Sequence, residues 1–238
     1  SRRWRIDPLQ LRDARVEVRL QDAAAPWIID ARQASALVDA TGDLARWTLR
    51  DVQLDARVSG TALAATQPLS LRAARIEYRN GGGVLTGRFD AEPLAIAWGR
   101  TELQLRPARS LTLTPLSGEG EIEVQGASLR EALEAHRVDV PPVRDAAVLG
   151  RFTLRTHWLL DETAVTLTAL QARLDDTQWQ GTLAGQWRGP GAWRIELEAD
   201  VLDVDRYRRP ASDPGAPFEL PVAALRALPI TVTVRLHE

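Results

Sequence analysis

The feature that most constrains this chain is a period-two alternation of apolar and polar residues that slips by one step at recurring places. From Leu9 onward, apolar residues mostly return at every second position with charged or amide residues between them, the pattern of strands with one dry and one wet face. The slip is clearest in Leu-Gln-Leu-Arg-Asp-Ala-Arg-Val-Glu-Val-Arg-Leu (9–20) and Trp-Thr-Leu-Arg-Asp-Val-Gln-Leu-Asp-Ala-Arg-Val (47–58), with looser copies from Leu69 to Tyr78 and from Val165 to Leu174. In each, apolar residues fall at i, i+2, i+5 and i+7. Side chains change face at every residue, so an unrelieved slip would turn the dry face to water. The pattern therefore predicts bulges or sharp bends near Arg12–Ala14, Arg50–Val52, Arg72–Ala74 and Thr168–Leu170. The irregular spacing of the copies predicts a meander with insertions and argues against a fixed-period solenoid.

Turn chemistry agrees. Asn80-Gly81-Gly82-Gly83 predicts a hairpin between 75–79 and 84–89, and Arg188-Gly189-Pro190-Gly191 predicts another between 182–187 and 193–199. Ser128-Leu129-Arg130-Glu131 has the form of a capping box opening a short helix to about His136, before Pro141-Pro142, with Asp145 capping a further turn through Leu149. Pro221 starts a second helix carrying Val222, Leu225 and Leu228 on one stripe, and Pro229 ends it before a last strand at 230–236. Residues 210–217, rich in proline, glycine and small side chains, read as a flexible linker. The expected fold is mainly β: an elongated, curved antiparallel sheet, either an open groove or a flattened sandwich, with two or three short helices. It divides into a β meander over 1–126, a helix plus meander over 127–209, and a linker, helix and further β segment over 210–238.

Composition narrows the function. The apolar stretches fall below the ~18 residues of a membrane-spanning helix, and a net charge of -2 with scattered arginines offers no basic field for nucleic acid. Cysteine is absent, which excludes disulfides and thiolate chemistry. Methionine is absent too, so Ser1 is expected to be an internal cut, with any signal peptide or anchor upstream. All thirty basic residues are arginine, which reads as the coding bias of a GC-rich genome.

No constellation points to catalysis, a metal or a cofactor. His136, His157 and His237 lie far apart and match no metal-ligand spacing. Asp175-Asp176 and the pair Asp203 and Asp205, placed here on one strand face, lack the further oxygens calcium needs and fit turn chemistry better. Trp179, Trp187 and Trp193 bracket one hairpin, where cross-strand packing outweighs sugar stacking. Gly81-Gly82-Gly83 lacks the helix and lysine of a phosphate loop.

From Ser128 onward an ordered series of features resembles the AsmA family of bacterial envelope proteins. These are Ser-Leu-Arg-Glu-Ala-Leu-Glu-Ala-His-Arg-Val-Asp-Val-Pro-Pro (128–142), Arg144 to Leu149, Leu174-Asp175-Asp176-Thr177 ahead of Trp-Gln-Gly-Thr-Leu-Ala-Gly (179–185), Ala199 to Tyr207, and the Leu220-Pro221 helix start. The resemblance implies a non-enzymatic periplasmic protein, tethered to the inner membrane by an N-terminal helix this chain lacks. It also implies a β-groove sheltering phospholipid acyl chains, with Val16, Val18, Leu20, Leu54, Val58, Ile76, Tyr78, Leu170, Ala172, Leu174 and Leu183 facing lipid. The alternative expectation is an interaction module that assists outer-membrane protein assembly through strand addition at an open sheet edge. A glycan-binding sandwich using the tryptophans is a third class.

Overall fold

The structure is a computed structural model that describes residues 3–18, 27–41, 46–61, 63–81, 84–89, 94–107, 111–113, 116–140, 142–186, 192–207 and 230–236. Four long strands come first, β1 (Arg3–Val18), β2 (Trp27–Thr41), β3 (Arg46–Ser59) and β4 (Gln67–Gly81), each antiparallel to the next, and the slipped segments that begin at Leu9, Trp47 and Leu69 lie in the first, third and fourth of them. Beyond them come β5 (Val84–Phe89), β6 (Leu94–Trp98), β7 (Thr101–Pro107), β8 (Leu111–Leu113) and β9 (Leu116–Gly126). After helix α1 (Leu129–Ala135) follow β10 (Phe152–Leu160), β11 (Ala164–Leu174), β12 (Thr177–Gln186), β13 (Trp193–Ala199), helix α2 (Val204–Tyr207) and β14 (Ile230–Leu236).

All fourteen strands belong to one sheet that does not close into a barrel. Two paths connect β4 to β9. The Leu69–Arg72 part of β4 pairs with β6, which leads through β7 to β9, while the Ile76–Gly81 part pairs with β5, which leads through β8. Strands before and after α1 lie in the same sheet, because β9 pairs with β10. Both expected hairpin pairings form, β4 with β5 and β12 with β13. One pairing departs from the antiparallel expectation: β14 runs parallel to β13, so the chain crosses back between them.

The slips are resolved largely where the sequence places them. Asp13, Asp51 and Ala169 take left-handed backbone with φ of 52°, 51° and 49°. Aspartate tolerates that conformation better than most residues, which accounts for the repeated Leu-Arg-Asp at 11–13 and 49–51. Register shifts accompany Asp51 against β2 and Ala169 against both β10 and β12. Arg72–Ala74 differs. The ladder to β3 passes from Arg50↔Arg75 to Val52↔Ala73 without a shift, and β4 changes partner there from β6 to β5. At Asp13 the β1–β2 register also holds, and its shift lies between Ile6 and Leu9 instead, beside Pro8, which cannot donate to the ladder.

At one end of the strands the chain folds over the sheet. Ser128 caps α1 by accepting from the Glu131 amide at 3.1 Å, but the Glu131 carboxylate does not complete the capping box; it pairs with Arg100. Asp145 closes a turn, accepting from the Ala147 amide at 2.9 Å. Asp175 accepts from the amides of Leu149 and Gly150, both at 2.9 Å, and from the Tyr207 hydroxyl. Arg206 bridges Asp145 and Asp176. Asp203 accepts from the Asp205 amide and opens α2, so these two aspartates serve a helix end and not a strand face. Of the residues weighed for calcium, Asp175 thus closes a loop, Asp203 caps a helix and Asp176 pairs with Arg206. The expected Pro221 helix, the 210–217 linker, Leu20, Trp187 and His237 lie outside the described residues.

Candidate functional site

Following cross-strand partners along the sheet yields one unbroken apolar row. It runs Leu11, Ala34, Leu54, Leu71, Ile96, Leu103, Val124, Leu154, Ala172, Trp179, Ala199 and Leu236, each directly opposite the next on twelve successive strands. At ~4.8 Å between strands, the row spans roughly 50 Å of sheet. One residue along every strand, the row becomes Gln10, Ser35, Gln53, Arg72, Ala95, Gln104, Glu123, Arg155, Gln171, Gln180, Glu198 and Arg235. Eleven of those twelve are polar, and they belong to the opposite face. The slips at Asp13 and Asp51, and the face change in β2 and β4 at the same level, keep these rows in phase.

The apolar face is half-open. Among the described residues only eleven apolar side chains are buried, and most of the row is half-buried, without a second layer of strands over it. At the two ends of the row Leu11 and Leu236 are 50% and 51% exposed. Glycines within the strands are topped by aromatic rings from the neighbouring strand: Phe152 over Gly126 and Trp193 over Gly185. These pairs fill gaps that the missing side chains would leave.

One end of this face is sealed. The Trp27 and Trp98 rings meet edge to face at 5.5 Å, reaching over β3 and β4 from the strands on either side, and the His136 ring lies tilted against Trp98 at 5.7 Å. Nearby, the Ala64 amide donates to the Ala135 carbonyl and Arg137 donates to the Leu63 carbonyl, fastening the β3–β4 loop to the end of α1. At the opposite strand ends a cleft of about 500 Å³ lies beside Val165, Gly185, Trp193 and Thr231.

Of the expected lipid-facing residues, those whose side chains are described, Val16, Leu54, Val58, Ile76, Leu170, Ala172, Leu174 and Leu183, fall on this apolar face. Leu54 and Ala172 are members of the row; Leu174 pairs with Phe152, Leu183 with Leu167 and Ile195, and Ile76 with Leu49. Val16 lies opposite Ile29, Val18 is paired opposite Trp27, and Tyr78 opposite Trp47. Two need correction. Val58 is 2% exposed, at the sealed end near the Trp27–Trp98 contact, and Leu170 is 8% exposed beside the Ala169 bulge; both side chains are buried by the protein itself and act as packing residues. Trp179 and Trp193, weighed above for sugar stacking, stand at opposite ends of the β12–β13 hairpin, paired across strands with Ala199 and Gly185, and a ring contact forms between Trp27 and Trp98. Ile96, Leu103, Val124 and Leu154 are row members the slipped motif does not mark, although their plain alternation would have placed them.

The charged groups are consistent with scaffold roles. Hydrogen bonds from the Ala147 amide, then from Arg206, hold Asp145 below the usual carboxylate range, and hydrogen bonds to Asp145, then Asp176, raise Arg206. Burial, then donation to Asp175, pushes Tyr207 up to about 12. Among the described residues no group of three or more potential ligands could hold a metal ion. Compared with models of known families, with curated proteins and with solved structures, the chain has no match in any of the three.

Proposed function

We propose that this chain is a lipid-sheltering segment of an AsmA-like envelope protein, periplasmic and non-enzymatic, in which acyl chains lie along the apolar row. The observation that carries this reading is the row itself, continuous over twelve strands and left half-open. A closed core has no use for a dry face that stays uncovered along ~50 Å, and such a face is costly unless something apolar lies on it. Each methylene that leaves water there contributes ~0.8 kcal/mol. Contacts of this kind are indifferent to register, so a chain can slide from strand to strand. The ordered features from Ser128 to Tyr207 support the same family, and with it an inner-membrane anchor in the parent protein.

Native mass spectrometry of the purified chain tests this. Phospholipid should co-purify, and Leu54→Asp, in the middle of the row, should remove it while the β-sheet circular dichroism persists. A lipid-free wild-type chain, after exposure to phospholipid vesicles, overturns the proposal. Capture of unfolded β-barrel peptides in place of lipid would favour the strand-addition reading, which uses the outer edges of β1 and β14.

A further inference from the structure

We infer that the outer edge of β1 pairs with the same edge of a second copy of this chain, joining two apolar faces into one. The inference goes beyond lipid binding and does not depend on it. No described strand occupies that edge, and on it Leu9, Leu11 and Val16 are 40%, 50% and 49% exposed. Within 9–16 no charged residue lies on the dry side of this edge, whose members are Leu9, Leu11, Ala14 and Val16, while Pro8, which cannot donate, limits pairing to the residues after it.

The β1 sequence is complementary to itself in one antiparallel register. Setting Leu11 opposite Ala14 of the second copy also sets Leu9 opposite its Val16, so apolar residues meet on the dry face. On the wet face the two residues of the slip, Arg12 and Asp13, meet Asp13 and Arg12 of the second copy, giving two opposite-charge pairs by symmetry. The two slips then face each other, as the slip at Asp13 already faces Arg32 in β2, where Arg12↔Gln33 and Ala14↔Ala31 flank it. Moving the register by two residues either way fails: one shift sets Leu11 against Arg12, the other Arg12 against Arg15. Both Arg12 and Asp13 are exposed, and among the described residues neither has an ion-pair partner.

Sedimentation velocity on the full 238-residue chain tests the pairing. Wild type should form a dimer that dissociates on dilution. Arg12→Asp and Asp13→Arg each turn both charge pairs repulsive and should weaken the dimer about tenfold. An equimolar mixture of the two variants restores both attractive pairs and should form a heterodimer by native mass spectrometry. Hydrogen exchange on wild type supplies a readout that needs no variant: amides within 9–16 should gain protection as concentration rises. A chain that is monomeric at every concentration, variants that dimerise like wild type, a mixture no tighter than its components, or protection at β14 instead of β1 would each overturn the inference.

Discussion

A charge placed in the apolar row should unfold little and empty much. Leu154 is half-buried between Val124 and Ala172 in the row, whereas Leu170, on the same face, is 8% exposed. Fully burying a leucine is worth ~1.5–3 kcal/mol, so Leu154→Asp forfeits roughly half of that plus up to ~1 kcal/mol of strand preference, about 2 kcal/mol in total. Its carboxylate stays in contact with water if the face is open. Leu170→Asp loses the whole burial and must also desolvate a carboxylate, about 4 kcal/mol or more. With a urea dependence near ~2 kcal/mol/M, the midpoints should fall by about 1 M and about 2 M respectively. Urea denaturation followed by tryptophan fluorescence reads both, and Leu154→Asp should lose bound phospholipid while remaining folded. If Leu154→Asp costs as much as Leu170→Asp, the row is covered and the reasoning fails.

Other consequences concern the scaffold. A Cβ on Gly181 would lie 2.0 Å from the Glu196 carbonyl oxygen in β13, so Gly181→Ala should lower the melting temperature markedly; an unchanged melt would contradict the β12–β13 register. Asp145, Asp161 and Asp200 all have depressed carboxyl pKa values, chiefly through backbone amides, so their stabilising contribution is present above the ordinary value of ~3.9 and is lost as pH falls through the lower folded-state values; the melting temperature should drop in that acid window. Tyr207, raised to about 12, behaves oppositely: its contribution is present below ~10 and is lost as pH rises from there to about 12, a loss that Tyr207→Phe should abolish at a cost near ~1 kcal/mol at neutral pH.

Much of this architecture was legible because alternation is a local code: each strand's dry face follows from parity, and a break in parity forces a bend. Leu-Arg-Asp at 11–13 and 49–51 even marks the residue that turns left-handed. At Arg72–Ala74 the same break in parity gives no bulge, because β4 meets the slip of β3 at the same level and exchanges one partner for another there. The seal made by Trp27, Trp98 and His136 was not legible, since it joins residues from elements that are neighbours only once β3 and β4 lie between them. The parallel docking of β14 was likewise hidden, because its strand pattern fits either direction. Val58 and Leu170 show the limit of parity: it assigns a face, while exposure on that face depends on what folds over it.

The most direct test of the open row is to let a lipid report where it lies. A phospholipid carrying a photoreactive group on its acyl chain, bound to the purified chain, irradiated and mapped by peptide mass spectrometry, should label row residues on several strands, Leu54, Ile96, Val124 and Leu154 among them, and spare Gln53, Glu123 and Arg155 on the other face. Labelling spread equally over both faces, or confined to a single strand, would contradict a continuous path along the sheet.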